Sequence, residues 1–183
     1  LPKLLVLLAP GSPADVQEDA AALLRELASN SASNRAHIAA AAGIPPLVAL
    51  LNAGSTEAVQ EQAAAALKLI VLNQADNKAA AVGAGAIPAL VSLLAAGSPP
   101  GVQAQAALAL AQLATKHTGN QSLVAAAGAV PALASMLMSG NGAAEAAAVQ
   151  ALHAIAGTAA SGFPRDITTT AVSAAPALVA LLG

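Results

Sequence analysis

Apolar and polar positions follow a helical period along most of the chain. Val16, Ala20, Leu23, Leu24 and Leu27 fall at i, i+4, i+7, i+8 and i+11, which predicts one buried stripe on a long helix. The stripe returns 43 residues later as Val59, Ala63, Ala66, Leu67 and Ile70, and again as Val102, Ala106, Ala109, Leu110 and Leu113. A shorter apolar string precedes each long one: LPKLLVLL from Leu1, IPPLVALL from Ile44, IPALVSLL from Ile87 and VPALASML from Val130. A fifth copy, APALVALL, starts two residues late at Ala175. Proline in the second place suits the first turn of a helix, where no amide donor is needed, and Leu47, Leu50 and Leu51 then form a short stripe.

The punctuation repeats as well. Ser12, Ser55, Ser98 and Asn141 are expected to cap the long helices, their oxygens accepting from first-turn amides. A third, shorter helix is predicted to begin after Asn34, Asn77 or Asn120, acting as caps, and to end at Gly43, Gly85 or Gly128 in a left-handed turn. Three helices per unit result, over residues 1–43, 44–86, 87–129 and 130–174, with a partial unit at 175–183. A helical period in the forties means a solenoid, because each unit is too small to bury its own apolar face and stacks on its neighbours. The fourth unit is expected to be irregular, with an insertion in the region Gly157 to Pro164 and Ser173 in place of the turn glycine. At a constant spacing of 43, Glu145 and His153 fall where earlier units have Val and Leu, so His153 is expected to be buried and sensitive to protonation.

These strings resemble the armadillo repeat. Gly-(Ala)-Ile-Pro-x-Leu-Val-x-Leu-Leu, followed by Val-Gln-x-x-Ala-Ala-x-Ala-Leu-x-x-Leu, is similar to the second and third helices of that repeat. HEAT repeats use two helices, and the Gly43-Ile44-Pro45 corner separates an additional short one. The resemblance covers nearly the whole chain. It implies an all-α, right-handed superhelical solenoid of about four units, with the third helices lining the inner surface.

On that surface the expected partner-binding positions are Glu18, Asp19, Ala22 and Glu26 in the first unit, and Glu61, Gln62, Ala65 and Leu69 in the second. Gln105, Leu108 and Gln112 follow in the third, and Ala151 and Ile155 in the fourth. The row runs from acidic to apolar, so Glu18, Asp19, Glu26 and Glu61 are expected to face a basic segment of a protein or peptide. Peptide-binding relatives carry Trp here and Asn four residues later, the Asn clamping the partner's backbone. The pairs in this chain are Ala22 and Glu26, Ala65 and Leu69, Leu108 and Gln112, Ala151 and Ile155, and Leu69 and Ile155 cannot make that bond. The expected function is therefore a protein-interaction scaffold with a surface of its own. The alternative is a structural interior segment of a longer armadillo rod, as in a ubiquitin ligase or a tethering protein.

Composition narrows the remaining classes. The chain is 57% hydrophobic and 1% aromatic, rich in alanine, which favours close helix packing over strands. It has no cysteine, so disulfides, thiolate metal sites and a cysteine nucleophile are absent. A net charge of -2 with seven scattered basic residues argues against a nucleic-acid partner. The uncharged stretch from Ala79 to Thr115 is cut by Gly83, Gly85, Pro88, Gly97, Pro99 and Pro100 into pieces shorter than the roughly 20 residues a membrane span needs.

His37, His117 and His153 stand apart without carboxylates at ligand or general-base spacing, so no enzyme, cofactor or metal site is expected. Lacking a signal peptide, the chain is expected to be intracellular, cytoplasmic or nuclear. It starts and stops within second-helix motifs, as a piece of a longer array would, and its uncapped ends are expected to promote self-association.

Overall fold

The computed structural model describes residues 1–52 and 54–157. The fifth apolar string, Phe163, Ser173 and the insertion after Gly157 lie outside the described residues. Among those described there are eleven α-helices and no strand. They are α1 (Pro2–Val6), α2 (Ala14–Ser29), α3 (Ala32–Ala40), α4 (Ile44–Ala49), α5 (Glu57–Ile70) and α6 (Ala75–Gly83), followed by α7 (Ala86–Ser92), α8 (Pro100–Ala114), α9 (Thr118–Ala126), α10 (Ala129–Met136) and α11 (Gly142–Ala156).

The long helices form a continuous layer, α2 on α5, α5 on α8 and α8 on α11, while α4, α7 and α10 each pack on the long helix that follows. The core runs through the array as one cluster. Its large members include Leu24, Leu47, Leu67, Ile70, Leu90, Leu110 and Leu113, and buried alanines such as Ala63, Ala64, Ala106 and Ala107 let the long helices approach closely.

In α5 and α8 every position of the predicted stripe is buried, from Val59 to Ile70 and from Val102 to Leu113. In α2 the stripe is only half covered. Ala20 and Leu24 are buried, but Leu23 is 50% and Leu27 38% exposed. Their counterparts in α5, Ala66 and Ile70, are shielded by α2, whereas α2 has a long helix on one side only among the described residues.

The fourth long helix corrects the constant spacing. The N-cap residues are Pro13, Thr56 and Pro99 at steps of 43, and then Asn141, one residue early. A residue has been lost from the loop after α10, near Gly140, so everything in α11 maps at 42. Ala144, Ala148, Ala151 and Ile155 therefore fill the places of Val102, Ala106, Ala109 and Leu113 in the core. His153 is exposed rather than buried, and the idea that its protonation loosens a core falls with the register.

Capping also differs from expectation. Ser12, Ser55 and Ser98 precede the true caps by one residue; the Thr56 hydroxyl accepts from the Val59 amide and Asn141 Oδ1 from that of Ala144. The short helices α3 and α9 are capped by Ser31 and by His117 Nδ1, not by asparagine. Gly85 and Gly128 adopt the expected left-handed turn, with φ of 82° and 84°. In the first turn of this kind the left-handed residue is Ala42, at φ 59°, and Gly43 is helical at φ -74°. Gly43 is needed for a different reason: a Cβ there would lie 2.8 Å from Ile38 Cγ2.

Candidate interaction surface

A lattice of polar side chains, repeated at a spacing of 43, ties the helices to their loops and to the neighbouring repeats. Gln17, Gln60 and Gln103 are buried, and each donates its amide to the loop ahead of its helix, at the carbonyls of Ala9 (2.9 Å), Asn52 (2.9 Å) and Ala95 (2.7 Å). The register-corrected fourth member is Glu145, whose carboxylate cannot donate. On the short helices, Arg35 donates to Ala28 O at 3.0 Å, Lys78 to Thr115 O at 2.6 Å and Gln121 to Ala154 O at 3.0 Å. The last two bonds reach the end of the next long helix and staple neighbouring repeats. Sequence reasoning missed this lattice, although the period of 43 at Gln and Asn was there to be read.

The surface between these supports carries the predicted binding positions. Asp19 and Glu26 are exposed, and Glu18, Ala22, Glu61, Gln62, Leu69, Gln105, Leu108 and Gln112 are half-buried. Ala65 is buried. Ala151 and Ile155 are core residues and leave the candidate surface; with the register corrected, Gln150 and Ala154 stand in the places of Leu108 and Gln112.

The surface is not simply acidic. Arg25 and Lys68 occupy equivalent places on α2 and α5, and the Lys68 ammonium donates to Gln105 Oε1 on α8 at 2.9 Å. Burial, and secondarily the nearby positive charge of Arg25, push the Lys68 pKa down from its ordinary value. Glu61 reaches in the same direction from the other end of α5: its Oε2 would lie 2.6 Å from a Cβ placed on Gly101, so glycine in the first turn of α8 leaves room for the carboxylate. Negative charge is favoured at that end of α8 by the helix dipole. Gln62 Oε1 is buried and finds no hydrogen-bond partner among the described residues.

Among the described residues no three His, Asp or Glu side chains are grouped to hold a metal, and no helix is long and apolar enough to cross a membrane. His37 Nδ1 lies 3.3 Å from the Ser33 hydroxyl and His117 serves as a cap.

The profile of the Armadillo/beta-catenin-like repeat matches residues 74–115, which run from the N-cap of α6 to the end of α8. A designed armadillo repeat protein superposes on 100% of this chain and 74% of its own with a TM-score of 0.85 and 27% identity. The chain belongs to the armadillo repeat family. An engineered protein of solved structure is similar at 34% identity and a TM-score of 0.84, over 95% of this chain and 67% of that one. A second designed armadillo repeat protein, solved in complex with the peptide (KR)4, is 27% identical with a TM-score of 0.80, over 95% and 70% of the two chains. No curated protein matches the chain. The armadillo assignment accounts for the short helices α4, α7 and α10 as second helices and for α5, α8 and α11 as third helices.

Proposed function

We propose that this armadillo array is a protein-interaction scaffold that receives a partner segment with basic side chains across its third helices. The observation that carries this is the row of Glu18, Asp19 and Glu26 on α2 with Glu61 on α5, in which Asp19 and Glu26 are exposed and Glu18 and Glu61 half-buried. Carboxylates held at fixed spacing on a rigid, repeated frame steer an oppositely charged segment and fix its position. The likeness to a designed armadillo protein bound to (KR)4 supports a basic ligand. In an isotope-labelled sample, (KR)4 is expected to shift amide signals of α2 and α5, and Glu18→Lys with Asp19→Lys and Glu61→Lys is expected to weaken binding at least tenfold. Shifts confined to α4, α7 and α10, or unchanged affinity in the triple variant, would remove the proposal.

A second reading rests on Leu23 and Leu27, whose exposure gives α2 an apolar flank matching the one that α5 buries against it. Such a flank suits an array working as a segment of a longer rod. Replacing both leucines by glutamine is then expected to lower self-association in light scattering without loss of helix content.

A further inference from the structure

Acidic and basic side chains on α2 and α5 are ordered, not mixed. Glu18 and Arg25 are seven residues apart on α2, and Glu61 and Lys68 are seven apart on α5. Seven residues are nearly two turns, so each pair shares one side of its helix with about 10 Å between the residues. The helices pack side by side, at a separation of about 8–10 Å for such contacts. The four charges thus form a rectangle with one acidic edge and one basic edge. Ala22 and Ala65 lie between the edges, Ala65 buried and Ala22 half-buried, giving a floor of methyl groups. The rectangle ends at α8, where the equivalent positions are Ala104 and Ala111.

An extended segment crossing the third helices along the array has side chains that point alternately to its two sides. One set meets Glu18 and Glu61, the other Arg25 and Lys68. We infer that the partner segment is extended and alternates basic with acidic residues, its basic side chains on the acidic edge and its acidic side chains on the basic edge. This rests on the proposed scaffold role and sharpens the ligand from basic to alternating. Burial first, and the nearby charge of Arg25 second, lower the pKa of Lys68, and a carboxylate arriving between the two cations offsets their repulsion. With none of the family's Asn clamps in place, selection falls to these side chains.

The test compares labelled (KE)4 and (KR)4 by fluorescence anisotropy at about 0.15 M salt, where long-range steering is screened beyond about 8 Å. Net charge favours the wrong peptide, since the chain carries -2 and (KR)4 is strongly cationic, so a preference for (KE)4 has to come from the face itself. (KE)4 is expected to bind at least fivefold more tightly than (KR)4. Arg25→Glu with Lys68→Glu makes both edges acidic and is expected to reverse the order. Should that variant fail to fold by circular dichroism, Arg25→Gln with Lys68→Gln is expected to abolish the preference. Equal or tighter binding of (KR)4 by the parent overturns the alternating ligand and leaves the scaffold for basic segments standing. Absence of binding by both peptides overturns both.

Discussion

The side-chain amide of Asn77 donates to the carbonyl of Ile70 at 2.8 Å, tying the first turn of α6 to the end of α5. The relationship recurs as Asn34 to Leu27 and Asn120 to Leu113, each at 2.9 Å. The last carbonyls of a helix have no partner within it, so one asparagine per repeat satisfies a group that the next turn would otherwise bury bare. Asn77 also reaches the carbonyl of Arg35 at 3.2 Å, joining α6 to α3 of the preceding repeat.

Replacing these asparagines is expected to destabilise the array in a set order. Asn77→Ala and Asn120→Ala each leave a buried carbonyl unpaired and are expected to cost about 2 kcal/mol, whereas Asn34→Ala, at a more exposed bond, is expected to cost about 1 kcal/mol or less. Urea midpoints measure the order. An Asn34 variant as damaged as the Asn77 variant would contradict the bond as the cause.

The turn between α3 and α4 holds a residue in the wrong place for its conformation. Ala42 carries a φ of 59° where Gly85 and Gly128 stand in later repeats. Ala42→Gly relieves a Cβ clash of about 1–2 kcal/mol, offset in part by the greater freedom of glycine in the unfolded chain, so a net gain of about 0.5–1 kcal/mol is expected. Gly43→Ala is expected to lose stability, because its Cβ would press on Ile38 Cγ2 at 2.8 Å and Ile38 O at 2.9 Å. Thermal unfolding of the two variants in opposite directions checks both.

Most of the fold was legible because Leu, Val and Ile mark the stripe of α5 and α8 at unmistakable spacing. In the first half of α11 the marks are all alanine, and Ala143, Ala144, Ala146, Ala147 and Ala148 offer no large side chain to fix its phase. Ile155, buried 42 residues after the buried Leu113, is the usable signal for the shortened spacing. The asparagines stand where caps of their own helices are expected, but their amides bond backward across a turn, to a partner seven residues earlier, which a capping rule does not anticipate. On the candidate surface the acidic edge was legible and the basic edge was not. Arg25 and Lys68 fall one position before the family's clamp residue and show their place only once α2 and α5 are side by side.

The altered fourth register left a flaw that can be repaired. Gln17, Gln60 and Gln103 each donate to the preceding loop, and Glu145 in their place can only accept. Glu145→Gln is expected to add about 0.5–1.5 kcal/mol by restoring the bond, and Gln103→Glu to remove about 2 kcal/mol or more by setting a carboxylate against a carbonyl. Chemical denaturation of the pair at low and at about 1 M salt separates this from a general effect of charge, which salt screens.

Lys78 gives the array a dependence on alkaline pH. It is buried, its ammonium bonded to the Thr115 carbonyl, and burial together with the charge of Lys116 lowers its pKa from the ordinary value of 10.5. The folded state therefore releases the proton first. Below the folded pKa the cost of holding the charge is fully present; as pH rises through that value toward the unfolded one, the unfolded chain binds more protons and stability increases. Gln121 does the same work in the next repeat with a neutral amide, donating to Ala154 O at 3.0 Å. Lys78→Gln keeps a donor and discards the titration. Because Lys68 shifts in the same direction and remains in both proteins, the difference between parent and variant isolates Lys78. Relative to the parent, the urea midpoint of the variant is expected to fall as pH is raised from neutral toward the unfolded value of about 10.5. A difference that stays constant over that range would show that the lysine contributes through its hydrogen bond alone.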